Sequence, residues 1–149
     1  MGTKQRRELA LIWWILFIIW LMITVFLSGQ DGTGSALLSN TISLGPWRLI
    51  HRCFPQLQYE DYHLCVRKLA HFSVHFVLAF LALRAMRYTF SHFGVALIVV
   101  AIVTIIIAVF DEAIQVQTPG RVGIISDAVI NLAGVFAGIF VSSFFKLAR

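Results

Sequence analysis

Four stretches of the chain are apolar for long enough to cross a membrane, and the polar residues between them fall into compact groups. Leu9 to Leu27 is broken only by Thr24; at about 1.5 Å per residue it covers the roughly 30 Å of a bilayer's hydrocarbon. A second span is predicted over 69–86, between Arg67-Lys68 and Arg87, and it carries His71 and His75. The β-branched run VALIVVAIVTIII within 93–110 would suit a buried strand in water, but its length predicts a third span. The fourth, over 126–145, places Gly134 and Gly138 four residues apart, a spacing that lets two helices approach closely, and it is expected to pack on another span through that face. The predicted fold is all-α: a polytopic membrane protein with four transmembrane helices, a loop over 28–67 after the first, and an interfacial or re-entrant loop between the third and fourth.

Composition agrees with this pattern. Of 149 residues 59% are hydrophobic and 13% charged, about half the charged share of a soluble domain. The length and the absence of a Pro/Gly/Ser-rich linker predict one domain over 1–149. The first apolar run lacks a convincing small-x-small cleavage site and exceeds a signal-peptide core, so it is expected to be a retained helix. The net charge of +5 does not point to nucleic acid, because the cations flank apolar runs instead of forming a stripe with interleaved aromatics. Lys4, Arg6, Arg7, Arg84, Arg87, Lys146 and Arg149 fall on one side of the four spans, which predicts both termini in the cytoplasm and the other face outward. Trp13, Trp14 and Trp20 lie near the ends of the first span, where indoles favour the interface.

The candidate chemistry gathers at the predicted outer boundary. Lys68 and His71 enter the second span, Asp111, Glu112 and Gln115 leave the third, and Arg121, Asp127 and Asn131 enter the fourth. Helical spacing puts Lys68, His71 and His75 on one face and Asp127, Asn131, Gly134 and Gly138 on another. Two cations, Lys68 and Arg121, stand against three carboxylates beside a low-dielectric slab, which favours either a carboxyl that keeps its proton or a bound cation. The bland alternative is that Arg121 pairs with Asp111 or Glu112 and Asn131 bonds across helices, which would only close the bundle. The Thr118-Pro119-Gly120-Arg121 turn is tolerated at membrane depth only where it lines protein or water, and its amides with Arg121 could hold an anion such as a lipid phosphate. His51-x-Cys53 and His63-x-Cys65 leave three readings open: a metal pair, a disulfide, or unpaired thiols. No Rossmann, P-loop, HExxH or nucleophile-elbow motif is present, so no cofactor is expected.

The segments KLAHFSVHFVLAFLALR, DEAIQVQTPGR and SDAVINLAGVFAG resemble the VanZ-like family across the last three spans, and SGQDGTGSALLSN, with Ser28, Gln30, Ser35 and Ser39, resembles its N-terminal outer loop. The resemblance implies a multi-pass protein of the bacterial cytoplasmic membrane with a role at the envelope, since the family's namesake is associated with low-level teicoplanin resistance. It carries Lys68, His71, Asp111, Glu112, Gln115, Arg121, Asp127 and Asn131 over as site residues. The chain departs from the pattern at His75, commonly a tyrosine, and at Val116-Gln117, commonly more aromatic. The expected partners are membrane lipids, a lipid-linked wall precursor or a glycopeptide antibiotic, with a homo-oligomer as a further option and no nucleic acid. An enzyme would use Glu112 or Asp111 as general acid/base with His71 as partner, and Lys68, Gln115, Arg121, Asp127 and Asn131 to bind substrate. A shielding protein would use the same groups for binding alone, and His71 with His75 would also suit a proton pathway.

Overall fold

The structure, a computed structural model, describes residues 2–120 and 125–145. It contains α1 (Thr3–Ser28), α2 (Gly32–Cys53), α3 (Tyr59–Thr89), α4 (Phe93–Gln117) and α5 (Ile125–Phe144). Helices α1, α3, α4 and α5 are long and apolar enough to cross a membrane, and each corresponds to one of the spans expected from the pattern, α5 ending one residue short of the expected 145.

Three of these helices, α1, α3 and α4, outrun the apolar stretch that marked them. Hydropathy marks the part of a helix that crosses hydrocarbon, whereas the backbone ladder continues until a residue breaks it. Helix α3 has 31 residues, about 46 Å of rise, so its first turns from Tyr59 project beyond an apolar slab of roughly 30 Å. Helix α4 continues to Gln117, where Thr118-Pro119-Gly120 stops it, with Gly120 at φ +74°. Asp111, Glu112 and Gln115 therefore lie inside the last turns of α4 instead of leaving it. The rest of the α4–α5 connection, where an interfacial or re-entrant loop was expected, falls at 121–124, outside the described residues.

The segment over 28–67 is not an irregular loop, because most of it forms α2. Asp31 caps this helix by accepting from the Gly34 N–H at 2.7 Å. The Gly34 bond first, and the Thr33 hydroxyl after it, hold the Asp31 carboxyl below the usual carboxylate range. Gly32, Gly34, Gly45 and Pro46 all weaken helix propensity, so tertiary contacts must hold α2. At one end the Gly32 N–H donates to the Pro119 carbonyl at 3.0 Å, with the Gly32 and Gly120 backbones so close that a Cβ on Gly32 would overlap Gly120. At the other end the Trp47 ring packs on Tyr62 and Tyr59, with centroids 5.2 and 5.3 Å away. The two tyrosine hydroxyls bond the Ser43 carbonyl and Asn40 Oδ1.

Helix α3 is the centre of the bundle. Helix α5 runs parallel to it, shown by the constant offset of their contacts from Lys68–Asp127 to Arg84–Phe145. The Gly134/Gly138 face lies directly on α3: a Cβ on Gly134 would overlap the Phe72 carbonyl, and one on Gly138 the Phe76 carbonyl. Side chains would hold the axes apart; their absence lets backbones meet without a hydrophobic drive from lipid. The three tryptophans of α1 turn toward α3: Trp20 donates to the Val74 carbonyl at 2.9 Å, Trp14 donates to Thr89 Oγ1 at 2.9 Å, and Trp13 packs edge-on to Phe80. An indole N–H finds no acceptor in lipid tails, and α3 supplies one.

At the end opposite the site, α3 cations close the last turn of α5. Arg84, buried, donates to the Phe145 carbonyl at 3.0 Å and stacks on Trp13 and Tyr88. Arg87 donates to the same carbonyl at 2.7 Å. These bonds satisfy carbonyls that a helix end leaves open. Arg84→Met is expected to lower stability by about 2 kcal/mol, the scale of a lost charged hydrogen bond, read as a lower thermal midpoint of the purified protein in detergent.

Candidate functional site

At the Ser28 end of the bundle the polar residues form two connected layers. In the first, Asp127 at the start of α5 is buried and faces Arg67 (3.6 Å), Lys68 (3.5 Å) and His71 (4.0 Å) of α3. Helical periodicity makes this set: Lys68 and His71 are three residues apart on the α3 face that α5 covers. The two cations are about one third exposed, so their pairing is worth about 1 kcal/mol or less and serves mainly to aim the carboxylate.

The second layer surrounds Asp111, 6% exposed on α4. Its Oδ2 accepts from Gln115 Nε2 at 3.0 Å and Asn131 Nδ2 at 3.2 Å, and its Oδ1 contacts the Ser28 hydroxyl, which also reaches the Thr24 carbonyl at 2.7 Å. His75, 1% exposed, brings Nε2 to 3.9 Å from Asp111 Oδ2 while Nδ1 faces the His71 carbonyl at 3.2 Å. Asn131, fully buried, joins the layers: its amide donates to Asp111, and its Oδ1 faces His71 Nδ1 at 3.2 Å. A buried carboxylate this deep requires such a set of donors, because each missing one would leave it unsatisfied in an apolar medium.

Of the residues expected from the sequence, Lys68, His71, Asp111, Gln115, Asp127 and Asn131 come together in this network. Glu112 is half-buried on α4, turned about 100° from Asp111 by the helical step, and it does not line the cavity described next. Arg121 lies outside the described residues. The pattern missed Arg67, which shares Asp127 with Lys68, and Thr24 and Ser28, spaced i, i+4 at the end of the apolar first span. That spacing was the available signal, since a polar stripe on a lipid-length helix must face protein.

A cavity of about 220 Å³ opens beside the network, enclosed by α1, α2, α3 and α4. Its polar side is Ser28, His71, His75, Asp111 and Gln115, with Arg67 also on its lining; its apolar side includes Leu27, Leu38, Ile42, Val66 and Val74. Helix α2 forms one wall through Ser35, Leu38, Ser39 and Ile42, which is why the cavity was invisible while 28–67 read as a loop. The His/Cys pairs do not converge: His51 stacks on Trp47, His63 on Tyr59, and Cys53 and Cys65 are free and exposed. Among the described residues no group of three or more His, Cys, Asp or Glu side chains is placed to hold a metal ion.

No curated protein and no solved structure matches the chain. Residues 13–146 match the model of the VanZ/LLP1 family, so the match takes in every residue of both polar layers and all four walls of the cavity. With four membrane-length helices and a family match over nearly its whole length, this multi-pass membrane protein belongs to the VanZ/LLP1 family.

Proposed function

We propose that the cavity takes up the head group of an envelope amphiphile, a membrane lipid or a lipid-linked wall precursor, and that through it the protein affects glycopeptide susceptibility such as that to teicoplanin. The observation that carries this reading is a single cavity with a carboxylate–histidine–amide wall on one side and an aliphatic wall on the other. Size favours a head group among the candidate occupants. About 220 Å³ is roughly seven water volumes at ~30 Å³ each, enough for a head group and too little for a whole glycopeptide. An effect on the antibiotic would therefore act through the lipid or precursor.

The orientation that suits this role puts the protein in a bacterial cytoplasmic membrane, termini inside and the cavity outward. Arg6 supports it by donating to the Tyr88 and Phe90 carbonyls. That contact gathers the basic start of α1 with Arg84 and Arg87 at the end remote from Asp111 and Asp127.

Whether the head group is changed or only held depends on proton transfer. Asp111 and His75 line the cavity and Glu112 stands one residue away, so acid/base chemistry and non-catalytic shielding use the same wall. A proton pathway is less well supported: beyond Asp111 and His75 the described core turns to Leu78, Leu83, Val100, Ala108 and Val135, with Thr104 spending its hydroxyl on the Val100 carbonyl.

The test compares envelope lipids and wall precursors by mass spectrometry, together with glycopeptide susceptibility, in cells with the protein, without it, and with Ser39→Trp, which fills the cavity from α2. A species gained or lost with the wild type but not with Ser39→Trp supports head-group chemistry, and Glu112→Gln and Asp111→Asn then separate the two carboxyls. Unchanged lipids with a susceptibility change that Ser39→Trp abolishes support shielding. If Ser39→Trp behaves as wild type in every readout, the cavity is not the site.

A further inference from the structure

The cavity wall carries two buried polar atoms that no described residue satisfies, and both are acceptors. Gln115 is 2% exposed, and its Nε2 is fixed by donation to Asp111 Oδ2, so the amide oxygen is the other atom; Oε1 has no hydrogen-bond partner among the described residues. His75 directs Nδ1 at the His71 carbonyl, which assigns the ring hydrogen to Nδ1 and makes Nε2 of the neutral imidazole an acceptor. That Nε2 is likewise buried without a hydrogen-bond partner, 3.9 Å from Asp111 Oδ2. Ser28, Gln115 and Asn131 already direct their donors at Asp111. The part of the wall around Asp111 is thus rich in acceptors, while the donors Arg67, Ser35 and Ser39 stand elsewhere on the lining.

Buried polar groups are paired in the great majority of cases, and each exception needs a partner from elsewhere. A phosphate or carboxylate could face Arg67 on the lining but would bring only more acceptors against Asp111 and Gln115 Oε1. A hydroxyl or an ammonium would bring what is missing, and a group with several hydrogens could serve Gln115, His75 and Asp111 together. From this geometry we infer that the occupant of the cavity presents hydrogen-bond donors, as a hydroxyl-bearing or primary-amine head group does. The inference rests on the head-group reading and narrows it to a chemical class.

Two matched lipid pairs test it on purified full-length protein by native mass spectrometry of lipids retained from equimolar mixtures with identical acyl chains. Phosphatidylethanolamine and phosphatidylcholine share their charge, and only the first has N–H donors. Phosphatidylglycerol and phosphatidylmethanol also share theirs, and only the first has hydroxyls. The expected result is a preference of about tenfold for the donor-bearing member of at least one pair, equivalent to ~1.4 kcal/mol, lost in Ser39→Trp and reduced in Gln115→Leu. Which pair discriminates tells ammonium from hydroxyl. The wild-type comparison stands by itself if Gln115→Leu fails to fold.

The inference is overturned if neither pair discriminates while Ser39→Trp still lowers retention of all four lipids; the cavity then binds lipid, and water serves its acceptors. It is also overturned if discrimination persists in Ser39→Trp, since the preference then arises elsewhere. If there is neither discrimination nor any effect of Ser39→Trp, the head-group reading falls with it.

Discussion

Asp111→Asn is expected to remove the proposed effect on glycopeptide susceptibility while leaving the helices assembled, and Asp111→Leu is expected to remove both. The asparagine keeps one acceptor oxygen for Ser28 or for the Gln115 and Asn131 amides, but its own NH₂ now meets donors that were aimed at a carboxylate. The charge facing His75 and the cavity is gone, so acid/base or charge-dependent recognition fails. The leucine leaves the buried Gln115 and Asn131 amides without this acceptor, while the Ser28 hydroxyl keeps the Thr24 carbonyl. At about 1 kcal/mol or more for each lost partner, the expected loss is at least ~2 kcal/mol, a large share of a stability of roughly 5–15 kcal/mol. Susceptibility measured beside the thermal midpoint in detergent separates the two: wild-type susceptibility with Asp111→Asn would show that the Asp111 charge plays no part in function.

Gly138→Leu is expected to have the largest structural effect of any single change. A Cβ at this position would overlap the Phe76 carbonyl of α3, and Gly134 faces the Phe72 carbonyl in the same way. Backbone cannot rotate aside as a side chain does, so α5 must shift along its whole length. Overpacking costs typically ~1–3 kcal/mol even where side chains can adjust; here the cost should exceed that range. The shift would also withdraw Asn131 from Asp111 and Asp127 from Lys68, because the same helix carries them. The expected outcome is loss of monodisperse protein after purification, with Gly138→Ala intermediate. A stable, functional Gly138→Leu would mean that α5 does not rest on α3 by its backbone.

The Gly134 and Gly138 contact shows how much a one-dimensional pattern can carry. A spacing of four places two residues on one helical face in any fold, so the close approach could be expected before the partner helix was known. The same logic grouped Lys68 with His71 and Asp127 with Asn131, and these pairs meet across α3 and α5. It failed over 28–67, where Gly32, Gly34, Gly45 and Pro46 argue against a helix and the evidence for one lies in Trp47 against Tyr59 and Tyr62. Propensity is local, and α2 is stabilised by contacts made elsewhere in the chain. It could not rank Asp111 above Glu112 either, since adjacent carboxylates look alike until a helix turns one of them inward.

By itself the sequence determined the solvent, the number of long apolar helices and the residue types that a low-dielectric medium forces to pair, because hydropathy, length and helical period are properties of contiguous segments. The tertiary structure alone decided that α2 closes a cavity, that Asp111 and not Glu112 lines it, and that Ser28, Gln115 and Asn131 from three helices converge on one carboxylate. Those facts depend on which faces of separate helices meet. No spacing along a single segment encodes that; the close approach of α5 to α3 and the docking of α2 on the Pro119-Gly120 turn set it.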